Sequence, residues 1–513
     1  MQGVAVMDRE LLDAGALCRH LLGEGTVAAF LAEHRSVVFP DSLFADLFTS
    51  GRGRPSVPAE VIATVMVLQA LEGLSDRQAV RRLETDICWK AATGLALTDE
   101  AFHPTVLTLW RNKLRASEAP QRIFDAVRQV VNASGVLAGK HRRALDSTVL
   151  DDAVARQDTI DLLVTQIRRV RRLIPEAAGV WVRHHNLEGG RPPCDWDDEA
   201  DIDRVISELV DDAYELVWAV EDLVDDGLIL SAEQADAVAL LALVAGQDVE
   251  PGDGPGRWRI AQRTARDRIV STVDPESRHT HKTAHSYRDG FKAHVAVEPE
   301  TGLITDADIT AGNVGDAEAA AGLLEDEPVG TEVLGDSAYG TGDLREHLED
   351  NDMDAVIKPP PLRPAVPDGF TLDDFDVDRD DNTVTCPAGV VVELTAKGRA
   401  SFGAHCAGCP LRGRCTTAAK GRVIVLHPHH DRLAAARRQA GGDDFDDVYR
   451  RWRPMVERTI AWLVRGPNRR VPYRGIERNQ LWWAHRCAAV NLKRLLNLGL
   501  TPGADGGWAI ATA

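Results

Sequence analysis

Asp146 lies in the middle of a short apolar run, Ala-Leu-Asp-Ser-Thr-Val-Leu (144–150), and Asp336 closes another, Glu-Val-Leu-Gly-Asp (332–336). Both runs read as strands. A carboxylate set in an apolar strand is costly unless it meets a cation or hydrogen-bond donors. Two ordinary fates are open: Asp336 caps the helix that follows it, and Asp146 makes a turn contact beside Ser147 and Thr148. The chemical alternative joins the two aspartates on neighbouring strands with a third carboxylate from a helix, an oxygen-lined site for Mg²⁺. Two such ions about 3.5–4 Å apart activate a nucleophile and stabilise the leaving oxygen at a phosphodiester. Glu457 and Glu477 compete for the third place. Glu457 stands among Arg450, Arg451, Arg453 and Arg458 in a helical stretch, where a plain salt bridge is the usual fate of such a residue. It is nonetheless better placed than Glu477, because Arg453, four residues earlier, shares its helix face and is able to grip a phosphate.

A second chemical pattern is Cys386, Cys406, Cys409 and Cys415, spaced Cys-x19-Cys-x2-Cys-x5-Cys. Turns at Cys-Pro and Cys-Ala-Gly-Cys-Pro aim thiolates at one point, as a structural Zn²⁺ site requires, with His405 as an alternative fourth ligand. So polar a segment has little else to hold it. Cys18, Cys88, Cys194 and Cys487 are scattered and read as ordinary small apolar residues. His279, His281 and His285 lie in a basic loop suited to phosphate or solvent rather than to a metal cluster.

The elements that must position these groups change in character along the chain. Residues 1–135 read as helical: Val61, Ile62, Val65, Met66 and Leu68 share a face between Pro58 and Gly73. Ser75 and Gln78 form a capping box. A helix near Pro104 carries Val106, Leu107, Trp110 and Leu114, with Arg111, Lys113 and Arg115 beside them. Short helices ending on a basic one fit a helix-turn-helix-like DNA-binding unit, but taken alone they fit a helical packing or dimerisation domain slightly better. After the Asp146 strand, two apolar stripes (Ile160 to Val170 and Ile206 to Val224) predict a helical hairpin inserted over 151–256, with a loop from 188. Alternation at 290–297, a Pro-Glu-Thr-Gly turn and 303–309 predict a β-hairpin. A helix at 316–324 and the Asp336 strand follow, then the cysteine segment and a helical C-terminal region.

The chain has 513 residues, enough for two to four domains, with 44% apolar and 27% charged residues, which supplies a core and excludes wholesale disorder. The longest apolar run, 235–246, falls short of the roughly 20 residues of a membrane span. The first ten residues lack a secretory pattern, and eight cysteines are too few for a disulfide scaffold, so a soluble cytosolic protein is expected. With 79 acidic and 59 basic residues the formal charge is −20, which taken whole argues against a polyanionic partner. The charge is uneven, however. Residues 195–253 hold 19 acids and one base (net −18), and 368–381 hold seven acids and Arg379 (net −6). Residues 449–494 hold twelve Arg or Lys and two Glu (net +10), and 257–294 nine bases and four acids (net +5). The segments around Glu457 and before Asp336 are basic, as a DNA partner requires.

The ordered set resembles the DDE-type insertion-sequence transposases: the N-terminal helices, Leu145-Asp146-Ser147-Thr148, the Asp274-Pro275…Tyr287…Gly290-Phe-Lys-Ala-His294 block, Gly335-Asp336-Ser-Ala-Tyr339 and Val456-Glu457-Arg458. The resemblance runs from about 35 to 498. It implies a mixed α/β fold in which a ribonuclease H-like catalytic core (140–150, 257–360 and 440–500) follows an all-helical DNA-binding domain (1–135). The core is interrupted by the acidic helical insertion (151–256) and a Cys-rich, zinc-binding insertion (361–425), and a tail (501–513) closes the chain. Asp146, Asp336 and Glu457 would be the catalytic triad and would hold two Mg²⁺ or Mn²⁺ ions. Arg111, Lys113, Arg115, Lys292, Arg450, Arg453 and Arg458 are the DNA-binding candidates. The family's tyrosine–arginine–glutamate–lysine signature is only partly matched: Tyr449 sits one residue too far upstream, and Val464 occupies the lysine position. Implied partners are double-stranded DNA, as element ends and target, and a second copy of the chain. The implied place is the cytoplasm, at the nucleoid, with no membrane.

Overall fold

A computed structural model describes the chain apart from residues 5–11, 51, 185–189, 255, 263–264, 284–285, 504–505 and 512–513. Its centre is a mixed sheet. Strand β1 (Arg142–Asp151) pairs antiparallel with β3 (Ser286–Val297) on one side and parallel with β5 (Glu332–Gly335) on the other. β5 pairs parallel with β6 (Asp354–Ile357). The far edge of β3 is shared by β2 (Arg278–Thr283) and β4 (Ile304–Ala311), both antiparallel to it. At Gly290, where pairing along that edge passes from β2 to β4, φ is +152°, and a Cβ would come within 2.1 Å of the Leu150 carbonyl oxygen on β1, on the other side.

Side-chain alternation divides the sheet into two faces. Ala144 and Leu150 of β1, with Phe291, Ala293 and Val295 of β3, enter a large core, whereas Leu145 and Ala296 enter a smaller one under helices Asp316–Leu323 and Gly342–Asp350. The large core also contains the N-terminal helices, which are therefore not a separate body. Helix α1 (Ala59–Glu72) starts after Pro58 and stops at the left-handed Gly73, and α2 (Asp76–Thr85) carries the Ser75–Gln78 capping box, as their residues predict. Helix α3 (Thr105–Arg115) bears the basic residues. Two C-terminal helices complete this core: α7 (Asp443–Leu463) lies over β1, and α8 (Ile476–Asn497) packs on β4 and on the N-terminal helices.

Arg486 of α8 ties these parts together. Its buried guanidinium donates to the carbonyls of Ala70 and Leu71, ending α1, and of Trp462 and Leu463, ending α7, each of the latter two and Leu71 at 2.9 Å. The last carbonyls of a helix carry its negative dipole end and lack intrahelical donors. One cation thus serves two helix ends. Burial lowers its pKa to about 10, which leaves it charged at neutral pH.

The insertion after β1 differs from the expected hairpin. It holds three helices, α4 (Thr159–Leu173), α5 (Glu199–Asp225) and α6 (Ala232–Gln247), around a core of their own. The third was hidden because Ala235 to Gly246 is apolar nearly all round and shows no clean stripe. Part of the loop expected from 188 lies outside the described residues. The cysteine segment also differs from expectation. It has an apolar core of Phe375, Val384, Ala400, Phe402 and Ile424 beneath short β-ribbons, so more than a metal holds it.

Burial pushes the carboxyl of Asp306 on β4 up to about 6, against an opposing pull from backbone hydrogen bonding and Arg128. A raised folded-state pKa favours the protonated form, so this group's stabilisation is present below its unfolded pKa and is lost as pH rises through 6. Asp306→Asn is therefore expected to stabilise the protein by about 3 kcal/mol at pH 8 and by nothing near pH 3. Urea unfolding at the two pH values checks this; an equal gain at both would contradict it.

Candidate active site

The parallel register of β1 and β5 pairs Arg142 with Glu332 and Ala144 with Leu334, an offset of 190 residues (332 − 142). The same offset sets Asp336, just beyond β5, level with Asp146. Gly335 lets the chain turn back here, since a Cβ would stand 2.9 Å from the Tyr339 Cβ. Tyr339 is wholly buried and its hydroxyl has no hydrogen-bond partner among the described residues; burial first, then the charges of Asp316, Asp146 and Asp336, hold it protonated.

Helix α7 brings Arg453 and Glu457 over the Asp146 face, one turn apart. Pro454 inside it leaves the Arg450 carbonyl, four residues back, without its helical donor. The Arg453 guanidinium meets all three carboxylates: Nη2 is 3.0 Å from Asp146 Oδ1 and 3.8 Å from Asp336 Oδ2, and Nη1 is 3.7 Å from Glu457 Oε1. The side chains grade outward: Arg453 is 5% exposed, Asp146 16%, Asp336 47% and Glu457 64%. The cluster therefore has a buried foot and a rim open to a large substrate. Desolvation raises the Asp146 carboxyl above its usual range, and Arg453 works against that rise. Asp146 accepts from the Ser147 N–H at 2.9 Å, and Asp336 accepts from the Ala338 N–H at 2.8 Å within a turn; the helix that follows, Gly342–Asp350, is capped by Thr341, so Asp336 does not cap it.

Glu477 takes a different course. It begins α8, is 67% exposed and pairs with Arg115 at 3.0 Å. If Glu457 completes the cluster, Glu457→Gln lowers metal-dependent DNA cleavage by about 100-fold or more, while Glu477→Gln stays within about threefold of the parent. Cleavage assays on the two variants separate them; the reverse order would exchange their roles.

A lysine escaped sequence reasoning. Lys358 directly follows β6, and its ammonium lies 4.3 Å over the ring of Tyr449, which neighbours Arg453. The signature position, at the C-cap of α7, holds buried Val464, and a lysine from the sheet approaches the same tyrosine instead. Only the folded register places it there; no spacing along the chain points to it.

The other basic candidates are distributed unevenly. Arg111 is buried, ion-paired with Asp76 and held over the Tyr473 ring. Lys113 donates to the Leu47 carbonyl at 3.0 Å, and Lys292 pairs with Asp316 at 3.0 Å. Arg450, beside Asp446, and Arg458 are exposed on α7. Arg453 is committed to the carboxylates. His279 hydrogen-bonds Asp289 and stacks on Tyr287; His285 and the side chain of His281 lie outside the described residues.

Cys386, Cys406, Cys409 and Cys415 line one cavity of about 30 Å³ with His405. Cys406 Sγ accepts from the Arg422 N–H at 3.4 Å, and burial raises the Cys415 thiol. Among the described residues no group of three or more His, Cys, Asp or Glu is close enough, as placed, to hold a metal ion.

Two family models match. A transposase DDE domain covers residues 385–496, which include Glu457 and the four cysteines, and a transposase domain, DUF772, covers residues 24–113. These two matches support an insertion-sequence DDE transposase. The DDE match begins inside the cysteine segment and covers its residues from 385 onward. No curated protein and no solved structure matches the chain. The family implies an enzyme that acts on DNA and uses a divalent metal. Among the described residues no helix is long and apolar enough to cross a membrane.

Proposed function

We propose that the chain binds the inverted-repeat ends of its own element, cuts them, and joins the freed 3′-hydroxyl to target DNA. The observation that carries this is the convergence of Asp146, Asp336 and Glu457, from two adjacent parallel strands and a helix, on one guanidinium. In chain order the five main strands β1, β3, β4, β5 and β6 lie across the sheet as third, second, first, fourth, fifth, with only the second antiparallel to its neighbours. That order supports a ribonuclease H-like core. The donor set is all carboxylate oxygen, which suits a hard cation such as Mg²⁺ or Mn²⁺. When bound, the ions activate the attacking oxygen and stabilise the leaving one. Asp146 anchors the site from the sheet, and Asp336 and Glu457 reach the DNA from its rim. Arg453 offsets the crowding of three negative charges, and Arg450 and Arg458 meet phosphates from the exposed side of α7. Two ends processed together call for a dimer.

Incubation with terminal-repeat DNA and Mg²⁺ is expected to give nicked ends and, with target DNA, strand-transfer products. Cleavage without joined product would reduce the reading to a nuclease, and binding without cleavage to a regulator.

The four thiols around one cavity support a structural zinc site, with Cys386, Cys406, Cys409 and Cys415 as ligands. Metal analysis is expected to find about one zinc per chain, lost in Cys406→Ser/Cys409→Ser. A folded protein without zinc would remove this assignment.

A further inference from the structure

A cleft of about 750 Å³ opens between the N-terminal helices and the 467–473 segment that joins α7 to α8. It is distinct from the carboxylate cluster, and none of the three carboxylates lines it. Its size is that of sites for small organic ligands. His485, 4% exposed, lines it, and among the described residues His485 Nε2 has no hydrogen-bond partner. Burial lowers this histidine to about 3, so the ring is neutral at neutral pH and offers a polar edge without a charge. Two aromatic rings are present: Trp482, partly buried, and Tyr473, under the Arg111 guanidinium at 5.3 Å. The ten-residue helix α2 starts at the rim, where Ser75 and Arg77 line the opening. A helix N-terminus beside an exposed arginine attracts phosphate, and the pairing of Asp76 with Arg111 removes the nearest opposing charge.

Two aromatic rings in the lining, a hydrogen-bonding edge at depth and an anion-attracting rim together match one ligand class. We propose that this cleft binds a single nucleotide unit, its base against Trp482 and Tyr473 with an edge toward His485, and its phosphate at the start of α2 beside Arg77. Two sources share this chemistry: a free nucleotide, and a nucleotide unstacked from bound DNA. The second rests on the proposed transposase activity. The cleft is connected to the cluster: the Val471 N–H donates to the Asp151 carbonyl at 2.9 Å, at the far end of the strand that carries Asp146. Five residues along a strand cover about 17 Å, within reach of one continuous DNA strand.

The test titrates the full chain, without divalent metal, with dAMP, dCMP, dGMP and dTMP separately. A parallel titration uses single- and double-stranded oligonucleotides carrying 2-aminopurine near one end. Tryptophan quenching and 2-aminopurine emission are followed. A saturable signal from a mononucleotide identifies the free ligand, and one from the oligonucleotides alone identifies the unstacked nucleotide. In either case Trp482→Ala weakens binding about tenfold or more. Arg77→Glu, at an exposed position that leaves the fold intact, weakens it as well. No saturable signal in any arm, or Arg77→Glu binding as tightly as the parent, overturns the proposal. Metal-dependent cleavage by the same preparation reports separately on the transposase reading.

Discussion

Asp336→Ala is expected to lower cleavage of terminal-repeat DNA by about 10³-fold or more while leaving the protein folded and able to bind DNA. The size follows from what the residue would hold. A catalytic metal ion supplies several kcal/mol of transition-state stabilisation, and each 1.36 kcal/mol is a factor of ten in rate. The intact fold follows from position. Asp336 stands beyond the last residue of β5, is 47% exposed, and gives up one hydrogen bond to the Ala338 N–H and a long contact to Arg453. Asp146 is a less clean target, because its loss leaves Arg453 buried without its closest partner. Gel assays of cutting and binding, beside thermal unfolding, check the three parts. Wild-type cutting by the variant would remove Asp336 from the chemistry.

The second large effect is on stability. Arg486→Leu is expected to cost about 3–5 kcal/mol, because four carbonyls at two helix ends lose their donor in a buried setting. Leucine fills part of the space but offers no N–H. Lysine keeps a charge yet cannot spread donors over two helix ends as the planar guanidinium does, so Arg486→Lys recovers only part of the loss. Denaturant unfolding of both variants measures this, and a cost below about 1 kcal/mol would mean that water replaces the arginine without penalty.

How much of this could be read beforehand varied with the physics of each element. Pro58, Gly73, Ser75 and Gln78 act within a turn of where they stand, and the helices they delimit begin and end there. The Asp146 and Asp336 strands were legible because polar residues interrupt apolar runs, and the offset between them needed only a parallel pairing. Residues whose role depends on distant partners were not legible. Arg453 looked like a phosphate ligand from its place on a basic helix; its burial among three carboxylates arises from how α7 lies on the sheet. Arg111 and Lys113 read as a basic face, but Asp76 and the Leu47 carbonyl claim them. Lys358 and the cleft around His485 depend on packing between segments hundreds of residues apart, for which no local pattern exists.

The shared core of the N-terminal helices and the central sheet, fastened by Arg486, has a consequence for measurement. If those helices hold the DNA end, nothing between grip and blade behaves as a tether. The molecule is then a ruler: the number of base pairs from the bound repeat to the cut is set by packed side chains, and so is the face of the double helix presented to Asp146. Cut sites should fall at one phase, without the scatter that a jointed arm would leave.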